Sequence, residues 1–151
     1  MVGRIGLGGG EWVVRSPATG ILFLGDILGI VGVLAWGLTV HHVDLVAQFD
    51  HAARSVLPFI VGWLLIAPVA GAYSPREWSS LRIAVAVVIG SWIGAAFIGS
   101  AIRATPLIPG GAPPIFVLVT IGTGLGVLVP WRIVAVVIGR KWNVWDTSIG
   151  H

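Results

Sequence analysis

Four long stretches of almost uninterrupted apolar residues dominate the chain, at 19–40, 56–73, 81–102 and 115–138. A helix needs about 20 such residues to cross the roughly 30 Å of hydrocarbon in a bilayer. Inside lipid every backbone polar group needs an internal partner, which a helix provides. Continuous apolar runs also lack the alternating pattern of a membrane β-barrel. The sequence therefore predicts an all-α integral membrane protein with four transmembrane helices in an up-down bundle.

The balance of charged and apolar residues supports this prediction. Only 10% of the residues are charged, and the mean hydropathy is +0.98. A water-soluble domain of this composition would expose apolar patches that monomeric proteins do not tolerate. The nine lysines and arginines are scattered along the chain and form no basic stripe, so we predict the lipid bilayer as a partner and no nucleic acid. The absence of cysteine excludes disulfides and thiolate chemistry.

The connections between the apolar stretches are polar or rich in proline and glycine. They divide the chain into a flexible cytoplasmic segment at 1–18, a transmembrane domain at 19–139 and a cytoplasmic tail at 140–151. Apolar residues recur at helical spacing in the first connection, which indicates either a short interfacial helix or a solvated loop. Pro58 is expected near the start of the second helix, whereas Pro68 and Pro130 are expected to kink the second and fourth.

Basic residues in short loops prefer the cytoplasm, and here they are unevenly divided between the two ends of the bundle. Only Arg54 and Arg103 fall on one side. This asymmetry predicts a multi-pass protein of the cell membrane with both termini in the cytoplasm. The residues on the opposite, cytoplasmic side are Arg4, Arg15, Arg76, Arg82, Arg140 and Lys141.

Two charges fall well inside predicted helices, away from their ends: Asp26 in the first and Arg132 in the fourth. An ionisable group within a span is costly and usually faces the interior of the bundle. At 1.5 Å per residue both lie about 10 Å from the same end, on antiparallel helices that should be neighbours. We predict a structural ion pair. The alternatives are an ion-coupling or proton-relay carboxylate and side chains that extend to the interface.

A polar cluster is predicted at the opposite end, formed by His41, His42, Asp44 and Arg103. Histidines and carboxylates can bind a divalent metal, but adjacent histidines on a helix point in different directions. We therefore predict a hydrated cap with no metal and no cofactor. No catalytic motif is present, so enzymatic activity is not predicted.

Glycines four residues apart recur in three helices, where small residues let helix backbones approach closely. We predict that these pairs pack inside one four-helix bundle, with self-association through an exposed pair as the alternative. The pairs are Gly25 with Gly29, Gly90 with Gly94, and Gly122 with Gly126.

The stretch from Pro58 to Trp63, which reads Pro-Phe-Ile-Val-Gly-Trp, resembles an uncharacterised prokaryotic membrane family catalogued as domain of unknown function 3054. The resemblance extends over about 25–133. Further matching positions are Asp26, His41 or His42, Arg103, Phe116-Val117 and Trp131-Arg132. A basic residue that often precedes the histidine in this family is absent here, where the chain reads Leu38-Thr39-Val40. The resemblance implies four membrane helices and no particular activity.

Three functions remain open at this stage. The first is a small oligomeric carrier or channel for an ion or small solute, with Asp26, Arg132 and Arg103 on its pathway. The second is an accessory or structural subunit that packs against another membrane protein through its glycine faces. The third, a membrane-embedded enzyme, would require a catalytic role for the histidine and aspartate cluster.

Overall fold

A computed structural model describes residues 17–74, 80–108 and 110–142 of the chain. The predicted amino-terminal segment 1–18 and carboxyl-terminal tail 140–151 lie outside these residues except at 17–18 and 140–142. Residues 17–18 belong to the first helix, and residues 140 and 141 to the last.

Four helices make up the regular structure of the described residues: α1 Pro17–Val40, α2 Phe49–Ala70, α3 Leu81–Arg103 and α4 Pro114–Lys141. Each is long and apolar enough to cross a membrane. The predicted all-α architecture with four transmembrane helices is confirmed. Helices α1, α3 and α4 begin and end within three residues of the predicted bounds.

The start of α2 differs from the prediction. The helix begins at Phe49, seven residues before the predicted Val56, and continues without interruption into the apolar span. No helix breaker separates these residues, and Asp50 in the first turn complements the positive end of the helix dipole. The helical spacing in the first connection thus belongs to α2 itself. Pro58, predicted near the helix start, lies in the interior of α2.

The end of α2 is set by Gly71. This residue has a left-handed backbone with φ of 85°, a conformation that glycine adopts at little cost. The Ala72 N–H donates to the Ala67 carbonyl at 2.9 Å, and the Gly71 N–H donates to the Pro68 carbonyl at 3.1 Å. This is a Schellman motif. It turns the chain back over the bundle and brings Ala72 and Tyr73 to buried positions.

The helices form a ring in chain order, in which α1 contacts α2 and α4, and α3 also contacts α2 and α4. Aromatic rings fill the centre. Trp92 of α3 lies 6.4 Å, between ring centroids, from both Phe59 and Trp63 of α2. The Trp92 indole N–H points at the Ile121 carbonyl of α4, 3.2 Å away. These contacts link α2, α3 and α4, and α1 contributes Leu22 to the same core.

Candidate functional site

Asp26 and Arg132 meet inside the bundle. Arg132 Nη2 lies 2.6 Å from Asp26 Oδ2, and both side chains have no exposed surface. Asp26 lies on α1 and Arg132 on α4. The two helices are antiparallel, and the two residues lie at the same depth from one end of the bundle. A charge pair removed from water in this way contributes little unless its remaining hydrogen-bonding groups also have partners. The hydrogen-bond partners around the pair therefore determine whether it stabilises the bundle.

Two residues beyond the predicted pair extend it into a polar network, although Asp26 Oδ1 has no hydrogen-bond partner among the described residues. The Tyr73 hydroxyl donates to Asp26 Oδ2 at 2.8 Å, and the Trp63 indole N–H donates to the Tyr73 oxygen at 3.0 Å. Arg132 Nη1 donates to the Ala72 carbonyl at 2.9 Å. All these groups are buried. The network joins α1, α2, α4 and the turn after α2, which is the arrangement of a cross-link between helices.

Sequence reasoning missed Tyr73 as a partner of Asp26 and Trp63 as a donor to Tyr73. Tyr73 stood at the predicted end of the second helix, where a tyrosine is expected to mark the membrane interface. The Gly71 turn instead brings it back over the bundle. One signal was available: Tyr73 is the single tyrosine of the chain, and it follows the proline and glycine that end α2. Trp63 is also the last residue of the Pro58 to Trp63 stretch that carries the family resemblance.

The predicted polar cluster does not form a single site. His41 and His42 are exposed, and His42 adopts a left-handed backbone with φ of 63° at the end of α1. The Asp44 carboxylate accepts hydrogen bonds from the backbone N–H groups of Ala47 and Val46, at 3.0 and 2.9 Å, which lowers the pKa of Asp44. Asp44 therefore organises its own turn. Among the described residues no three potential metal ligands gather.

Arg103 differs from the other members of this cluster because it is buried, with 8% of its surface exposed. Its Nε donates to the Gly111 carbonyl at 3.0 Å. The guanidinium lies over the Phe116 ring, 4.8 Å from the ring centroid, within the range of a cation–π contact. Gly110 makes room for it, because a Cβ at that position would lie 3.0 Å from Arg103 Nη2. Arg103 thus ties the α3–α4 connection to the bundle.

A cavity of about 340 Å³ opens beside Arg103, which lines it. Its volume is at the lower end of the range of ligand pockets, roughly 300–1,000 Å³. Helix α1 supplies one wall, from Val33 to Val40, with His41 just beyond it, and α4 supplies another, from Phe116 to Thr123. The wall on α1 extends about 10 Å along the helix axis. Most of the lining is apolar, and Ser55 of α2 adds a hydroxyl.

Two polar atoms at this cavity lack partners among the described residues. They are Arg103 Nη1 and Ser55 Oγ, each buried and without a hydrogen bond. Ser55 has only 6% of its surface exposed. Leaving a buried donor unsatisfied costs about 1–3 kcal/mol, and more for a charged group. The cavity therefore combines apolar walls with unused hydrogen-bonding capacity, as small-molecule sites do.

The three glycine pairs have different surroundings. A Cβ at Gly25 would collide with the Trp131 ring, and one at Gly29 would lie 3.3 Å from Val127, so this pair lies against α4. A Cβ at Gly94 would lie 3.2 Å from Ile66. The prediction of internal packing is wrong for Gly90, Gly122 and Gly126, because a Cβ there would meet nothing within 4 Å in the described part of the chain.

Three glycines outside these pairs also lie at close helix contacts. A Cβ at Gly62 of α2 would overlap the Ala95 carbonyl oxygen of α3, and one at Gly124 would overlap the Trp92 ring. Gly99 lies against the Phe59 ring, where a Cβ would approach to 2.5 Å. The stretch from Pro58 to Trp63 therefore packs its phenylalanine, glycine and tryptophan into the core. Gly124 points inward, whereas the predicted Gly122 and Gly126 are exposed.

Comparison with models of protein families gives a match over most of the chain. A family model described as "Protein of unknown function (DUF3054)" matches residues 23–135. This confirms the predicted resemblance, and the matched range contains Asp26, Arg103 and Arg132. No curated protein and no solved structure matches the chain.

Proposed function

Because the chain belongs to the DUF3054 family, whose description assigns no activity, we propose a function from the geometry alone: the protein is a carrier-type membrane protein that binds a small, largely apolar solute. The binding site is the cavity lined by Val33, Phe116 and Arg103. The observation that carries this proposal is the pair of unpartnered buried donors on a mostly apolar wall.

The Asp26–Arg132 pair has a different role in this proposal. Neither residue lines the cavity, and both are enclosed by Tyr73, Trp63 and the Ala72 carbonyl. An ion-coupling carboxylate needs access to water or to a transported ion. We therefore assign the pair to holding the helices together, and we assign solute binding to the cavity.

Filling the cavity should abolish binding. Gly37 lines the cavity, and a Cβ at this position meets nothing within 4 Å. Gly37→Leu therefore adds bulk to the cavity without an internal clash. Trp36, also in the lining and 61% exposed, reports binding through quenching of its fluorescence by a bromine-labelled medium-chain alcohol or the matching carboxylate. We expect saturable quenching in the unmodified protein and at least a tenfold weaker affinity in Gly37→Leu.

Gly32→Leu is the matched control. Gly32 lies on the same helix, has equally open surroundings and does not line the cavity. Its saturable quenching should equal that of the unmodified protein, and Trp36→Phe should remove the signal. Equal affinity in Gly37→Leu, or quenching that never saturates with either probe, would show that the cavity is not a binding site.

We further propose that the end of the bundle holding Arg103 faces outward and that both chain termini lie in the cytoplasm. Of the residues that support this orientation, Arg4, Arg15 and Arg76 lie outside the described residues. The described Arg82, Arg140 and Lys141 lie at the end opposite Arg103. The greater number of basic residues at that end favours a cytoplasmic location.

Single cysteines test this orientation, because the native chain contains none. Gln48→Cys, in the α1–α2 connection, should react with a membrane-impermeant maleimide added to intact cells. Ser80→Cys, at the start of α3, should react only after the membrane is opened. The reverse pattern would invert the topology, and labelling of both positions from outside would rule out the proposed number of crossings.

A further inference from the structure

We infer that the solute of this cavity carries an anionic head and a single apolar chain, with the head bound at Arg103 and Ser55. This inference rests on the proposed function and names the ligand class of the same site. It starts from the charge of Arg103. Within the described residues no carboxylate pairs with Arg103. Asp26 belongs to the other ion pair, Asp44 bonds to its own turn, and Asp50 is exposed in the first turn of α2.

A buried cation without a counter-ion is unfavourable in a low-dielectric environment. Arg103 makes two interactions: its Nε donates to the Gly111 carbonyl, and the face of its guanidinium lies over the Phe116 ring. Nη1 is left without an acceptor. An anionic oxygen at this atom would compensate the charge and accept a charge-assisted hydrogen bond, which is stronger than a neutral one. Ser55 Oγ offers a second donor at the same cavity.

The direction of the cavity matches an amphiphile in the adjacent leaflet. Arg103 and His41 lie where α3 and α1 end, at the membrane surface. Val33 and Thr123 lie about two turns deeper, toward the middle of the bilayer. Thr123 donates its hydroxyl to the Val119 carbonyl at 2.8 Å, so the deep end presents little free polarity. A head at Arg103 and a chain toward Val33 would satisfy both ends.

The size of the cavity limits the ligand to one chain inside it. At about 340 Å³ the cavity is near the minimum of known ligand pockets. Two sources supply the same chemistry: a free fatty carboxylate, and a phosphate-bearing lipid whose other chain would remain outside. The shared feature is an anionic oxygen on an alkyl chain. The experiment below separates the two sources.

The test compares bromine-labelled medium-chain probes that share one chain and differ in the head: a carboxylate, an alkyl phosphate and a neutral alcohol. We expect the best anionic probe to quench Trp36 with an affinity roughly 10- to 100-fold above that of the alcohol. Arg103→Gln should remove this difference by weakening the anionic probes far more than the alcohol. Competition by vesicles of an anionic diacyl phospholipid, stronger than by the free carboxylate, would assign the head to a membrane lipid.

Arg103 also holds the α3–α4 connection, so its replacement could reduce binding by disturbing the fold. Two further variants distinguish this effect from the loss of a ligand contact. Arg103→Lys keeps the charge and should retain a preference for anionic probes. Ser55→Ala leaves Arg103 in place and should weaken the anionic probe several-fold more than the alcohol. Equal binding of all three probes, abolished by Gly37→Leu, would overturn this inference and leave the proposed function standing. If Arg103→Gln loses all binding and Arg103→Lys shows no preference for anionic probes, Arg103 has only a structural role and the inference is wrong.

Discussion

Neutralising one member of the Asp26–Arg132 pair is expected to lower the free energy of unfolding by roughly 3–5 kcal/mol. Asp26→Asn leaves the guanidinium of Arg132 buried without a counter-ion, and Arg132→Gln leaves the carboxylate in the same position. The Asp26→Asn, Arg132→Gln double variant contains no buried charge and should lose less than the sum of the two single losses. Unfolding of the purified protein in detergent, followed by tryptophan fluorescence, measures all three values.

Arg82→Gln serves as the control for this experiment. Arg82 is exposed at the start of α3, so its replacement should change the free energy of unfolding by no more than about 0.5 kcal/mol. The change in the free energy of unfolding caused by Arg82→Gln should add to that caused by Asp26→Asn, because distant sites act independently. Simple additivity for Asp26→Asn and Arg132→Gln would contradict the coupling of the two charges. Loss of solute binding in a stable double variant would instead place the pair in the functional site.

The second large effect is expected at the contact between α2 and α3. Gly62→Ala places a methyl group on the Ala95 carbonyl oxygen, and this backbone atom has no flexible end that could move aside. The two helices must separate, and overpacking of this kind costs about 1–3 kcal/mol. Since Phe59 and Trp63 flank Gly62 in the core, separation also loosens their contacts with α3. We expect a correspondingly lower resistance to unfolding in detergent.

Gly122→Ala is the matched change at an open position. An added Cβ at Gly122 meets no described neighbour, and alanine is a better helix former than glycine by up to about 1 kcal/mol. The monomer should therefore be unchanged or slightly more stable. Equal losses in Gly62→Ala and Gly122→Ala would refute the close contact at Gly62. A smaller oligomer in Gly122→Ala, with unchanged monomer stability, would reveal self-association through the Gly122 and Gly126 face.

The sequence by itself determined the number of helices and the position of Asp26 opposite Arg132. Helix number follows from the length of each apolar stretch, since about 20 residues are needed to cross a bilayer. The depth of a side chain follows from the 1.5 Å rise per residue. In an up-down bundle, depth and chain order together place a residue of the first helix opposite one of the fourth. Neither quantity requires knowledge of which face a helix turns inward.

Only the tertiary structure decided which faces pack together. In a soluble helix the apolar stripe marks the buried face, but in lipid both the bundle interior and its surroundings are apolar. The apolar residues of α4 are accordingly spread around the whole helix. The sequence could not separate Gly124, which lies against Trp92, from Gly122 and Gly126, which are exposed. For the same reason the sequence could not show the cavity at Arg103 or the Gly71 turn that brings Tyr73 to Asp26. Both features depend on how the helices are rotated and on the path of the connections, and hydropathy contains neither kind of information.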